Sequence, residues 1–167
     1  MISVDSNELQ KLYIAYFGRP ADPSGINYWL LRSGESLDLR EISHELSRQD
    51  EYVKYISYEK SLDFKINKLY LNLFNRKADF DSLNYWIEMV ENREYKISDI
   101  VYELTYSNNK VYSINFEQEK KDNAILQNKI LAAELFTKQI SKSISLINIY
   151  KPDSISPWVS GNSFIRV

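Results

Sequence analysis

Tyr13-Ile14-Ala15-Tyr16-Phe17-Gly18-Arg19-Pro20-Ala21-Asp22-Pro23-Ser24-Gly25-Ile26-Asn27-Tyr28-Trp29 is followed 57 positions later by Tyr70-Leu71-Asn72-Leu73-Phe74-Asn75-Arg76-Lys77-Ala78-Asp79-Phe80-Asp81-Ser82-Leu83-Asn84-Tyr85-Trp86. With the window opened back to Lys11 and Lys68, 10 of 19 positions are identical: Lys11, Leu12, Tyr13, Phe17, Arg19, Ala21, Asp22, Asn27, Tyr28 and Trp29. Unrelated windows of that length share about one residue, so the chain carries an internal repeat.

Read position by position, the repeat is a helix, a tight stop and a second helix. Leu9, Leu12, Tyr13, Tyr16 and Phe17 follow helical spacing. Asp5 with Glu8 forms a capping box ahead of them, and Val4 with Leu9 its hydrophobic staple. Gly18 stands where a helix ends in a left-handed residue, and Asn75 holds the same place in the second copy. Asp22-Pro23 reads as an N-cap with proline in the first turn, and Asp79-Phe80 repeats the cap without the proline. The helices that follow bury Ile26, Trp29 and Leu30 in one copy and Leu83, Trp86 and Ile87 in the other.

Outward from the repeat, Asp38 and Glu41 make a second capping box before Leu39, Ile42 and Leu46. The counterpart starts near Ser98 and uses Ile100, Val101 and Leu104. Tyrosine-rich helical segments near residues 52–58 and 112–116 close the two units. Glu117 to Asp122 reads as a solvated connection, and Asp122 as the cap of a long helix through Leu126, Ile130, Ala133, Thr137, Ile140 and Ile144. Pro152, Pro157 and Gly161 mark an extended tail, in which Trp158 and Phe164 are candidate anchors for the body or for a partner. The expected fold is all-α: a pseudo-symmetric tandem of two helical repeats, a long C-terminal helix and an extended tail. A single helical domain spans about 1–145, with repeat one at about 5–62, repeat two at about 63–118 and the closing helix at about 122–145. The tail covers 146–167.

A chain of 167 residues holds one core of ordinary size. Net charge of −2 supplies no bulk attraction for nucleic acid or an anionic membrane. There is no cysteine, hence no disulfide, thiolate metal site or thiol nucleophile, which suits a cytosolic or an exported protein alike. The opening Met1-Ile2-Ser3-Val4-Asp5 has no signal-peptide pattern, and no apolar run reaches membrane-spanning length.

Candidate functional residues are few. Tyr28 and Tyr85 fall about 140° from the centre of the apolar helical face. They either pack on the next helix or form an exposed aromatic pair for stacking on sugars, with Asn27 and Asn84 beside them. Arg19 and Arg76 either tie down the local backbone and carboxylates, or dock an acidic group of a glycan. Asp22, Asp79 and Asp81 match no calcium loop and read as helix caps. His44, the only histidine, lies between Ile42 and Leu46 without a nucleophile elbow, so it reads as structural and the chain as no enzyme.

The motifs Leu12-Tyr13, Phe17-Gly18-Arg19-Pro20-Ala21-Asp22-Pro23 and Gly25-Ile26-Asn27-Tyr28-Trp29, with Leu69-Tyr70, Phe74-Asn75-Arg76, Asp79 and Asn84-Tyr85-Trp86, resemble a bacterial family of unknown function, domain family 4214. Asn128-Lys129-Ile130, Ala133 and Phe136-Thr137 resemble the stretch that follows its two repeats. The second copy departs from the pattern at Lys77, Phe80 and Ser82. The family is similar to N-terminal regions of surface-layer proteins and also occurs beside calcium-binding nonapeptide repeats. The resemblance implies an all-helical, noncatalytic anchoring module. It would be exported without a cleaved signal and would bind surface polysaccharide or lipopolysaccharide O-chain. A surface-layer protein would carry a lattice-forming region after this module, so the expectation is an isolated anchoring fragment or a short stand-alone member. Calcium enters only through the resemblance. The alternative is a helical protein-assembly adaptor that uses the closing helix and the tail, Trp158 and Phe164 included.

Overall fold

The computed structural model describes residues 4–34, 37–106 and 116–142, and the regular elements within them are all helical. They are α1 (Ser6–Phe17), α2 (Pro23–Gly34), α3 (Leu39–Leu46), α4 (Asp50–Tyr52), α5 (Leu62–Phe74), α6 (Phe80–Asn92), α7 (Ile97–Tyr106) and α8 (Phe116–Ser141). α4 passes directly into a π-helical turn, Val53–Ser57.

Local chemistry places the ends of these helices. Asp5 accepts from the backbone N–H of Glu8 at 2.9 Å and caps α1. The reciprocal half of the expected capping box is absent, because the Glu8 carboxylate is taken by Lys11 at 2.8 Å. α1 ends at Gly18 with φ +63°, and α5 ends at Asn75 with φ +58°. Each returns its N–H to the carbonyl four residues back, Ile14 in one case and Leu71 in the other. Glycine adopts that left-handed backbone freely, and asparagine is the side chain that tolerates it best after glycine. Asp22 and Asp79 accept from the N–H groups of Gly25 (2.7 Å) and Ser82 (2.9 Å), so both aspartates are caps. α3 carries the full capping box of Asp38 and Glu41.

α1 is buried on nearly all sides, from Leu9 to Phe17. It packs against α5, its partner in the sequence repeat, and α3 packs against α7. The Asn72 amide donates to the carbonyl of Ala15, 57 positions earlier, at 2.9 Å. Gln10 accepts from the N–H of Ala21 at 2.9 Å, and Asn67 accepts from the N–H of Ala78 at 3.1 Å. α8 lies across α1, α2 and α5, burying Leu126, Ile130, Ala133 and Ile140. Each of these aliphatic side chains contributes roughly 1.5–3 kcal/mol by leaving water, apart from the smaller Ala133.

Two further sequence expectations are corrected. Leu30 is 36% exposed and lies outside the core, so α2 buries only Ile26 and Trp29. α7 starts at Ile97, as expected near Ser98, where the Asp99 carboxylate reaches back to the Lys96 N–H at 2.9 Å. Asp122 does not cap α8, which begins six residues earlier at Phe116, so the run Glu117–Asp122 is helix and not connection. Asp122 is buried there by an arginine described below. The second tyrosine segment, all but its last residue, and the tail, with Trp158 and Phe164, lie outside the described residues.

Candidate functional site

The duplicated residues build the same small network twice. Trp29 Nε1 donates to the Tyr13 hydroxyl at 3.2 Å, and Trp86 Nε1 donates to the Tyr70 hydroxyl at 3.0 Å. The Arg19 guanidinium sits 5.6 Å from the Tyr13 ring centre, and that of Arg76 sits 5.3 Å from the Tyr70 ring centre. Burial pushes the Tyr13 phenol up to about 12 and raises that of Tyr70 as well. These rings are structural members of the core, where the deprotonated form is disfavoured.

That network decides the arginines. Arg19 is 3% exposed. Its Nε and Nη2 bind the two oxygens of Glu51 at 3.0 and 2.6 Å, and Nη1 donates to the Pro20 carbonyl. A fork filled and buried in this way presents nothing to a glycan, so Arg19 leaves the candidate set. Arg76 is held the same way by a different partner. Nε and Nη2 bind Asp122 at 2.9 and 2.6 Å, and the hydrogen bonds raise the guanidinium pKa further. Nη1 donates to the Lys77 carbonyl, and Asp79 stands 3.6 Å away. About a quarter of the Arg76 side chain remains accessible, but the fork faces the closing helix.

The paired tyrosines separate. Tyr28 is 48% exposed, with its ring edge-on to Trp29 at 4.9 Å. Its hydroxyl accepts from Arg32 Nη1 at 3.0 Å, and the same guanidinium lies 5.7 Å from the ring centre. Asn27 beside it is exposed. Tyr85 keeps the edge-on contact with Trp86 at 4.9 Å but is half-buried against the core. Desolvation raises its phenol pKa, and Tyr95 and Glu103 add to the shift. Asn84 is exposed. An exposed aromatic pair therefore reduces to one exposed ring, Tyr28.

A second feature has no counterpart among the sequence candidates except His44. A cleft of about 540 Å³ opens between α3 and the start of α7. The α3 wall carries Arg40, Glu41, His44 and Glu45. Facing it are Glu94, Lys96, Ser98 and Asp99. His44 Nδ1 lies 3.4 Å from the Ser98 hydroxyl, and Ser43 Oγ donates to the Ser98 carbonyl at 3.0 Å. The Ser98 side chain is almost wholly buried, and Ser98 comes from the first turn of α7 without a strained elbow. Among the described residues no cluster of three His, Asp or Glu is arranged to hold a metal ion. No helix among them is long and apolar enough to cross a membrane.

Comparison with protein-family models, with curated proteins and with solved structures finds no match to this chain.

Proposed function

We propose that this chain is a noncatalytic helical binding module, a pseudo-symmetric tandem of two helical units closed by α8, which presents Tyr28 to the sugars of a surface polysaccharide or lipopolysaccharide. The tandem is supported by the matched packing of α1 on α5 and α3 on α7, and by the paired Trp–Tyr, Gln10–Ala21 and Asn67–Ala78 hydrogen bonds. The observation that carries the glycan reading is the fixed, half-exposed ring of Tyr28. Trp29 and Arg32 hold it in one orientation, which lowers the entropy lost on stacking. An aromatic face flanked by the Asn27 amide and the Arg32 guanidinium offers stacking together with hydrogen bonds to hydroxyls and carboxylates.

The test is calorimetric titration with purified O-chain and capsular polysaccharides. Tyr28→Ala is expected to weaken binding about tenfold, the equivalent of one stacked ring. Tyr85→Ala, already covered by protein, changes it far less. Binding unchanged by Tyr28→Ala removes that residue. Failure of the wild type to bind any such polymer ends the glycan reading.

A second reading, a protein adaptor, is favoured by α8. Leu131 and Leu135 are 63% and 64% exposed and one helical turn apart, on the face opposite its buried stripe. Removal of the residues after Lys151 separates the two readings. Loss of a protein complex with polysaccharide binding intact supports the adaptor.

A further inference from the structure

We propose that the cleft between α3 and the start of α7 is a receptor for a guanidinium group. The correspondence of the two units carries this assignment, independently of the glycan reading. The apolar stripe Leu39, Ile42 and Leu46 of α3 returns in α7 as Ile97, Ile100 and Leu104, 58 positions on. The same step pairs Glu41 with Asp99, His44 with Tyr102, Glu45 with Glu103 and Arg40 with Ser98.

One half of this arrangement is filled by the protein itself. The Arg40 guanidinium lies over the Tyr102 ring, 4.3 Å from its centre. It donates to Asp99 Oδ1 at 2.7 Å and stands 3.6 Å from Glu103. The other oxygen of Asp99 accepts from the Lys96 N–H at 2.9 Å. Aromatic face, carboxylate with one oxygen committed to a helix cap, and second carboxylate together make a complete guanidinium site.

The other half has the same parts without the cation. Glu41 Oε2 accepts from the Asp38 N–H at 2.8 Å, as Asp99 does for Lys96. His44 occupies the place of Tyr102, and Glu45 that of Glu103. Glu45 makes no ion pair among the described residues. Where Arg40 would reach in, the chain has Ser98, whose hydroxyl meets His44 at 3.4 Å and goes no further. The space left is the cleft of about 540 Å³. With Arg40 and Asp99 neutralising each other, three carboxylates (Glu41, Glu45, Glu94) face one ammonium, Lys96. The balance favours a cation. The ring and the two carboxylates select a flat one that donates several hydrogen bonds over a compact ammonium.

The probes are guanidinium chloride, agmatine and a blocked Gly-Arg-Gly peptide, with the citrulline peptide as the uncharged control. Each is titrated to roughly 20 mM, since a single pocket of this kind binds in the millimolar range. The readout is the amide shifts of His44 and Ser98 in ¹H–¹⁵N spectra. Saturable shifts are expected with agmatine or the arginine peptide and none with citrulline. Agmatine alone identifies a small-molecule site; tighter binding of the peptide identifies an arginine of a protein partner. Ser98→Arg supplies the missing group from within and is expected to abolish the shifts while leaving polysaccharide binding unchanged. Glu45→Gln, an exposed change that leaves the cap intact, is expected to weaken binding about threefold, the scale of one partly exposed ion pair. The proposal is overturned by a wild-type chain whose His44 and Ser98 amides do not respond to any cationic probe. It is equally overturned by an affinity that Glu45→Gln leaves unchanged, or by a folded Ser98→Arg chain that binds as well as the wild type.

Discussion

In the first unit Arg19 reaches Glu51, within its own unit; in the second Arg76 reaches Asp122, on α8. Both forks sit on the matching tyrosine ring and both bind a carboxylate through Nε and Nη2. What differs is where the carboxylate comes from. The first arginine is satisfied within its own unit, and the second by the closing helix. The helix ends differ too, although there both covers come from outside the unit they close. The carbonyl of Ala15, near the end of α1, is covered by the Asn72 amide, whereas the carbonyls of Leu71 and Asn72, near the end of α5, are covered by Lys129 of α8. One duplicated sequence thus supports two closures, and long-range partners decide which forms.

The sharpest way to break this comparison is to remove each arginine. Arg19→Met is expected to cost about 3 kcal/mol, because a buried fork and its packing on two rings are lost while Glu51 stays partly buried. Arg76→Met is expected to cost about 1–2 kcal/mol, since a quarter of that side chain is in water and Gln118 still donates to Asp122. Urea unfolding of the two variants measures the difference. Equal losses would show that the two closures are energetically alike.

Features set by near neighbours were legible in the sequence. Gly18 and Asn75, Asp22 and Asp79, and the core tryptophans obey rules that act within a few residues, and the structure shows each doing what those rules require. The arginine partners were not legible, because Glu51 and Asp122 lie 32 and 46 positions away and nothing local marks them. In the sequence Asp122 looks like a cap because the charges around it look solvated. The approach of Arg76, together with the Gln118 amide, makes a buried aspartate tolerable inside a helix. Tyr28 and Tyr85 have the same helical angle, so periodicity could not tell the exposed ring from the covered one. The cleft was hidden by register. The first two helices of each unit repeat at 57 positions and the third at 58, so one inserted residue conceals that Ser98 stands where Arg40 does.

A second contrast lies at Gly25 and Ser82, the same place in the two units. A methyl group on Gly25 would run into the Tyr13 hydroxyl, which Trp29 already holds. Gly25→Ala is therefore expected to destabilise by about 2 kcal/mol, the scale of an overpacked core. In the second unit Ser82 has room, and its hydroxyl bonds Asp79 at 3.0 Å. Ser82→Ala is expected to cost about 1 kcal/mol, the net scale of the hydrogen bonds its hydroxyl makes to Asp79 and Tyr70. Thermal unfolding of the two variants tests the pair. A harmless Gly25→Ala would mean that Tyr13 can move aside without breaking its network.

The last contrast separates the two helix ends by pH. Desolvation lowers the Lys129 ammonium from 10.5 to about 8 in the folded chain. Across that window the unfolded chain holds more protons, so stability rises as pH increases from about 8 towards 10.5. The buried tyrosines act in the opposite sense and higher up. Burial raises Tyr13 and Tyr52 to about 12, so their contribution is complete below pH 10 and is lost as pH climbs through the folded values. Between about pH 7.5 and 9.5 Lys129 therefore acts alone among these groups, with an expected gain of about 2 kcal/mol. Lys129→Met should flatten that rise. Asn72→Ala, which strips the corresponding cover from α1, should lower stability at every pH and leave the slope in place. A slope that survives Lys129→Met would show that the ammonium on α5 does not titrate in this range, and the two helix ends would then differ in partner but not in their response to protons.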